Sequence, residues 1–168
     1  MTDSFNIRDA RAGDAAPVAA IYNHYIARTI VTFELEAVAA GDMCDRIAAV
    51  QDDGLPWLVA ADAAGAVLGY AYAARWRPRA AYRRSVESSI YLAPQAVGRG
   101  IGRCLYPRLI ERLRACGLHV VIGGAALPNP ASVALHEALG FAKVAHLREV
   151  GHKFGRWIDV GYWQLRLE

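Results

Sequence analysis

Gln95-Ala96-Val97-Gly98-Arg99-Gly100-Ile101-Gly102 decides how the rest of this 168-residue chain is to be read. It follows a strand-like run, Ser88-Ser89-Ile90-Tyr91-Leu92, and opens a helix with Ile101, Leu105, Leu109 and Leu113 at amphipathic spacing. A Gly-rich turn between strand and helix aims several backbone N–H groups at one point. The helix dipole adds positive potential there. Gly98, Gly100 and Gly102 let the backbone approach an anion closely and adopt positive φ. The expectation is a pyrophosphate cradle that needs neither lysine nor metal. A P-loop would close on Gly-Lys-Ser/Thr, and Gly102-Arg103-Cys104 does not. A dinucleotide fold would carry its glycines in the first βα unit, whereas roughly half of this chain precedes them.

Composition sets the bounds. One domain spanning 1–168 is expected, with a sizeable core. Apolar residues at 55% and charged residues at 21% describe an ordinary globular protein. A net charge of +3 is too small to argue for nucleic acid. Lysine occurs only at Lys143 and Lys153; Arg75, Arg77, Arg79, Arg83 and Arg84 cluster. Cys44, Cys104 and Cys116 are odd in number, lack metal-ligand spacing, and suit reduced thiols in the cytoplasm. The N-terminus has no signal-peptide pattern, and no run approaches a membrane span.

Periodicity then places the elements. Phe5–Arg8 alternates as a strand, and Gly13-Asp14 supplies a turn and a helix cap. A helix follows with Val18, Ile21, Tyr22 and Tyr25 on one face, then a connector, Thr29 to Phe33. Asp42 is expected to cap a second helix that turns Met43, Ile47 and Val50 inward. Trp57 to Ala61 and Val67 to Ala74 form strands around the turn Asp62-Ala63-Ala64-Gly65. Val86 to Leu92 is the next strand, followed by the cradle and its helix to Cys116, with Gly117 closing it and Pro107 predicting a kink. His119 to Ala126 is a strand. Pro128-Asn129-Pro130 starts a short helix through Leu139, closed by Gly140. Ala142 to Val150 and Trp157 to Leu167 are strands about the turn Gly151–Gly155. The order βααβββαβαββ predicts an α/β fold: a mixed central β-sheet with helices on both faces.

The cradle, in the order Gln-x-x-Gly-x-Gly after a mid-chain strand, resembles the acetyl-CoA motif of the GNAT superfamily of N-acetyltransferases. A second segment, Asn129-Pro130-Ala131-Ser132 through Leu135-His136 to Gly140-Phe141, resembles the superfamily's Asn-x-x-Ala/Ser-x-x-Leu-Tyr-x-x-x-Gly-Phe, with His136 in place of the tyrosine. Pro56–Ala60, Ala71-Tyr72-Ala73, Arg79–Tyr82, Val86–Tyr91 and Gly151–Gly161 narrow the likeness. They are similar to the phosphinothricin / methionine sulfoximine N-acetyltransferases, from about Tyr22 to Leu167. One departure falls on Arg83-Arg84-Ser85, where phosphinothricin-specific enzymes typically carry Asp-Trp-Thr.

The resemblance implies a GNAT fold, acetyl-CoA as cofactor, a small glutamate-like amino acid as acceptor, and a homodimer with pockets near the subunit interface. The cradle and the strand before it give the expected cofactor contacts Ile90, Tyr91, Leu92, Val97, Gly98, Arg99, Gly100, Ile101, Gly102 and Arg103. Asn129 and Ser132 match the family's contacts to the pantetheine and phosphate portions. A backbone N–H near Leu92 is expected to meet the thioester oxygen.

Amide formation needs a neutral amine, so a base must take its proton. Alternation puts Glu87, Ser89 and Tyr91 on one side of their strand and Val86, Ser88 and Ile90 on the other. Glu87, just before the cradle, is the candidate general base, a role the family also assigns it; otherwise it is a surface strand Glu or an arginine's partner. His136 is the candidate proton donor to the departing thiolate, or a proton relay; otherwise it is a histidine packed under the sheet. Arg77, Arg79 and Tyr82 are expected to hold the acceptor's carboxylate, with Trp76 as a wall, against the alternative of a solvated charged loop. Phe33 and Glu34 resemble family residues that line the acceptor pocket. Lys153 and Trp157, in the C-terminal hairpin, are expected to act structurally. Two classes of function remain at this level. One is an N-acetyltransferase, for such an amino acid or for another amine such as a polyamine or protein N-terminus. The other is a non-catalytic acyl-CoA-binding domain.

Overall fold

Alternating apolar and polar residues build the sheet, and 3.6-residue periodicity builds the helices, in a computed structural model that describes residues 5–168. The strands are β1 (Phe5–Asp9), β2 (Trp57–Asp62), β3 (Val67–Arg75), β4 (Ser85–Leu92), β5 (Val120–Leu127), β6 (Ala142–Lys153) and β7 (Arg156–Arg166). The helices are α1 (Ala15–Arg28), α2 (Ala40–Asp52), α3 (Ile101–Ala115) and α4 (Pro130–Ala138). The chain order is βααβββαβαββ, as the periodicity predicts.

The strands form one seven-stranded sheet in the order β1-β2-β3-β4-β5-β7-β6. Every neighbouring pair is antiparallel except β4 and β5. Those two are parallel because α3 carries the chain back across the sheet between them. Ser88 on β4 meets Tyr106 on α3, while Tyr91 on β4 packs edge-on against Tyr22 and Tyr25 of α1. Adjacent side chains of one strand therefore face different helices, with α1 on one face and α3 on the other. Trp57 through Ala61 are all buried, because both faces of β2 are covered. Val18, Val59, Val86, Leu105, Leu109, Leu113 and Val121 complete the closed part of the core.

Several local expectations need correction. Asp42 does not cap α2. The cap is Ala39, in extended backbone and without a side-chain bond, and Asp42 sits in the first turn, where its charge favours the helix dipole. Asp14 does occupy the position before α1 but makes no capping bond. Its carboxylate instead accepts two bonds from Arg8, at 2.7 and 2.8 Å, and one from the Arg11 N–H at 2.7 Å. That fork-to-fork pair outcompetes a single cap bond. The helix α3 spans Ile101–Ala115 with Pro107 inside it, as the sequence places it. The final hairpin is tighter than a loop spanning Gly151–Gly155. Lys153 pairs with Arg156 around Phe154 and Gly155, at φ +52° and +73°, as in a two-residue type I′ turn.

Candidate active site

The cradle comes first. Gly98 and Gly100 lie at φ +82° and +78°, and Gly100 is the residue before α3. Both need glycine for backbone reasons, and open space faces each Cα. Gly102 has ordinary helical backbone, and a Cβ there would make van der Waals contact with Leu135 Cδ2 at 3.4 Å. The N–H groups of Ile101 and Gly102, in the first turn, have no intrahelical acceptor. The Arg103 N–H is spent on Gly100 O at 3.1 Å. Val97, Arg99 and the Arg103 side chain are exposed around these donors. The donor set, the dipole and the bare glycines fit a diphosphate.

Beside the cradle the sheet forks. Pairing between β4 and β5 runs from Ser85↔Val120 to Ser88↔Gly123 and stops, although the strands continue to Leu92 and Leu127. A cleft of about 40 Å³ lies where they part, lined by Val31, Ser88, Ser89, Ile90, Tyr91, Gly124, Ala125, Asn129, Ser132 and His136. Its lining mixes Ser88 and Ile90 with Ser89 and Tyr91, so it passes through the sheet from one face to the other. Ile90, Tyr91, Asn129, Ser132 and His136 are thereby brought together around one cleft. Asn129 caps α4, its Oδ1 accepting from the Ser132 N–H at 3.2 Å. Leu92 lies at the end of β4, where its carbonyl accepts the Tyr25 hydroxyl at 2.6 Å.

Glu87 projects to the α1 side, over Gly124. A Cβ on Gly124 would stand 3.1 Å from Glu87 Oε1 and 3.1 Å from the Tyr162 ring, so the glycine makes the carboxylate's seat. Burial pushes the Glu87 carboxyl up from the ordinary range, and the charge of Arg77 opposes that rise. Arg77 stacks 4.7 Å over the Trp76 ring, and Trp76 meets Tyr162 edge-on at 5.8 Å. Trp76, Arg77, Glu87 and Tyr162 are therefore one group. Arg79 precedes and Tyr82 ends an exposed 3-10 turn, Ala80–Tyr82, and no hydrogen bond, ion pair or ring contact among the described residues joins either to that group.

The connector after α1 closes the same side. Phe33 lies against Gly151 so tightly that no Cβ would fit, and buried Lys153 donates from Nζ to Thr32 O at 2.7 Å. Glu34 is already engaged: its carboxylate accepts two bonds from Arg46, at 2.6 and 3.1 Å, and one from the Tyr22 hydroxyl at 3.0 Å. Arg46 accordingly holds the Glu34 carboxyl below its usual range against partial burial. Glu34 thus braces the connector rather than presenting a free carboxylate.

His136 lies on the other face, among the buried residues, and edges the cleft. Its Nδ1 donates to Ser132 O at 2.7 Å, and its Nε2 is 3.0 Å from the Tyr106 hydroxyl. Burial lowers the imidazole's pKa, the bond to Ser132 working against it. Both ring nitrogens are thus engaged. Gly123 makes this seat as Gly124 makes the other, since any Cβ on Gly123 would collide with the imidazole. The Gly123-Gly124 pair within a strand was the legible signal of close approach. Tyr106 and Tyr162, which sequence reasoning missed, had none, because an aromatic on a helix or strand pattern reads as core.

The chain is similar to proteins of known class. A GNAT acetyltransferase domain family matches residues 7–161. An L-methionine sulfoximine/L-methionine sulfone acetyltransferase of Pseudomonas paraeruginosa is 42% identical, covering 98% of this chain and 96% of its own. A phosphinothricin N-acetyltransferase of Streptomyces viridochromogenes is 42% identical, covering 96% and 87%. The crystal structure of a GNAT superfamily phosphinothricin acetyltransferase from Sinorhizobium meliloti, in complex with acetyl-CoA, superposes with a TM-score of 0.94 at 40% identity, covering 99% and 89%. A family match over most of the chain, together with relatives 42% identical over nearly all of it, places this protein in the GNAT acetyltransferase family.

Proposed function

We propose that this protein is an acetyl-CoA-dependent N-acetyltransferase for the α-amine of a small glutamate-like amino acid of the phosphinothricin or methionine sulfoximine/sulfone type. Transfer is direct, with Glu87 as general base. The observation that carries this reading is a half-buried carboxylate, raised by its burial, seated on Gly124 at the fork beside a diphosphate cradle. The names of the relatives support the acceptor class.

The turn 97–103 would hold the diphosphate, and Asn129 and Ser132 with the open edge of β4 would hold the arm that follows it. Bound acetyl-CoA supplies a thioester carbonyl carbon open to an amine, with a thiolate as leaving group. Glu87 takes a proton from the acceptor's ammonium at Oε1, directly or through one water, and so frees the lone pair. Arg77 offers a planar fork to the acceptor's carboxylate, in a position that Trp76 stacking fixes. Phe33, Trp76 and Tyr162 supply apolar walls that keep water from the amine.

The working unit is a homodimer. β6 is one of the two edge strands, and Val144, Leu147 and Val150 on it, with Phe154 and Trp157 at the hairpin, expose apolar surface that a second copy would cover. Its three unpaired cysteines suit the cytoplasm.

The test is CoA release from acetyl-CoA against phosphinothricin, methionine sulfoximine, methionine sulfone, glutamate, a polyamine and a short peptide. Turnover confined to the sulfoximine, sulfone or phosphinothricin is expected. Turnover with only the polyamine or the peptide would overturn the acceptor assignment.

A further inference from the structure

Beneath the fork, four residues from three elements join in one buried chain of hydrogen bonds. Ser88 Oγ lies 2.6 Å from the Tyr106 hydroxyl, Tyr106 lies 3.0 Å from His136 Nε2, and His136 Nδ1 lies 2.7 Å from Ser132 O. Ser88, Tyr106 and His136 are all buried. Ser88 is also the last β4 residue paired with β5, and its Oγ reaches Ile122 O on β5 at 3.3 Å. The chain of bonds therefore stands at the branch point. It connects β4, whose far end is one wall of the cleft, to α3, whose first turn is the cradle, and to α4, which carries Asn129 and Ser132.

The polarity of this chain follows from its ends. Ser132 O accepts only, so Nδ1 carries a hydrogen. In the neutral imidazole Nε2 must then accept, so Tyr106 donates to it, and the Tyr106 oxygen in turn accepts from Ser88. Protonation of His136 would reverse the links from Nε2 to Tyr106 and from Tyr106 to Ser88, leave Nδ1 donating to Ser132 O, and make Ile122 O the terminal acceptor. Burial of the imidazole favours the first arrangement. Removing the Tyr106 hydroxyl strips His136 Nε2 of its partner, while Ser88 keeps Ile122 O.

We infer that Tyr106 and His136 are positioning residues: with Ser88 and Ser132 they form a strut that fixes the opening of the β4–β5 fork against the cradle, and so sets where the acyl-bearing arm of the cofactor lies relative to Glu87. This rests on the proposed use of acetyl-CoA but not on the identity of the acceptor. It assigns Tyr106 a role that its place on a helix core face does not suggest.

Two measurements test it without any acceptor. Calorimetry compares acetyl-CoA with ADP, which offers a diphosphate without the arm. Tyr106→Phe and Ser88→Ala are expected to weaken acetyl-CoA binding about tenfold while ADP affinity stays within about twofold. His136→Phe should do the same, and His136→Gln, which restores an acceptor toward Tyr106, should recover most of the loss. Thermal midpoints of the variants accompany each titration. Acetyl-CoA affinity unchanged in Tyr106→Phe, or equal losses for both ligands, would overturn the strut. Nitrogen-15 NMR of the whole protein should show His136 neutral with the hydrogen on Nδ1 at pH 7. A hydrogen on Nε2 would overturn the assigned polarity. Failure of every acceptor in the CoA-release panel, with this binding split intact, would sink the acceptor assignment and leave the strut standing.

Discussion

Two influences meet at Glu87. Burial disfavours its charge, and the Arg77 guanidinium favours it. A general base works in its ionised form, so turnover rises as pH climbs through its pKa. The acid limb of the kcat/KM profile is therefore expected above the ordinary carboxylate range. Removing Arg77 takes away the influence that lowers the pKa. Arg77→Ala should thus move the acid limb to higher pH and raise the acceptor's apparent KM, with acetyl-CoA affinity little changed. An acid limb that stays in place would show that another group titrates there. Glu87→Gln should lower kcat by about 10²-fold or more while acetyl-CoA still binds within about twofold; parallel loss of binding would make Glu87 structural. Alternation along Val86–Tyr91 was enough to put Glu87 and Ser88 on opposite faces. It could not reveal that Ser88 meets Tyr106, or that Glu34 is consumed by Arg46, since those partners are 18 and 12 residues away in sequence.

At the level of elements, the turn into α3 is the feature most fully written in the sequence. Gly100 must adopt φ +78°, which costs a side-chain-bearing residue roughly 1–2 kcal/mol and costs a β-branched one more. Gly100→Val should therefore weaken acetyl-CoA and ADP alike, by at least about tenfold in calorimetry, with α3 itself retained. Undiminished affinity would remove the cradle from the site. Unlike a strut variant, this one spares neither ligand. Element ends were less legible. Asp42 and Asp14 are good capping residues by type, yet Ala39 holds the first position and Arg8 claims the second carboxylate. The turn at Phe154-Gly155 was hidden because Phe154 at φ +52° is an uncommon choice there, so Gly151 seemed the natural start of a loop.

Across the whole molecule, the apolar edge at β6 and the hairpin points to a second copy. Trp157, 64% exposed, is its largest side chain. Trp157→Arg should convert a dimer into a monomer by light scattering after gel filtration, with the far-UV spectrum unchanged. A dimer of undiminished stability would place the interface elsewhere. The sequence by itself determined the element order, the Gly-rich turn into α3 and the family, because periodicity, glycine spacing and strand alternation are local properties that neighbouring residues impose. Only the tertiary structure decided that β4 and β5 part after Ser88 and Gly123, that Gly123 and Gly124 seat His136 and Glu87 on opposite faces, and that Tyr106 ties the fork to the cradle. Those relations depend on which distant side chains share one buried space, and burial obliges each polar group to find a partner wherever in the chain it lies.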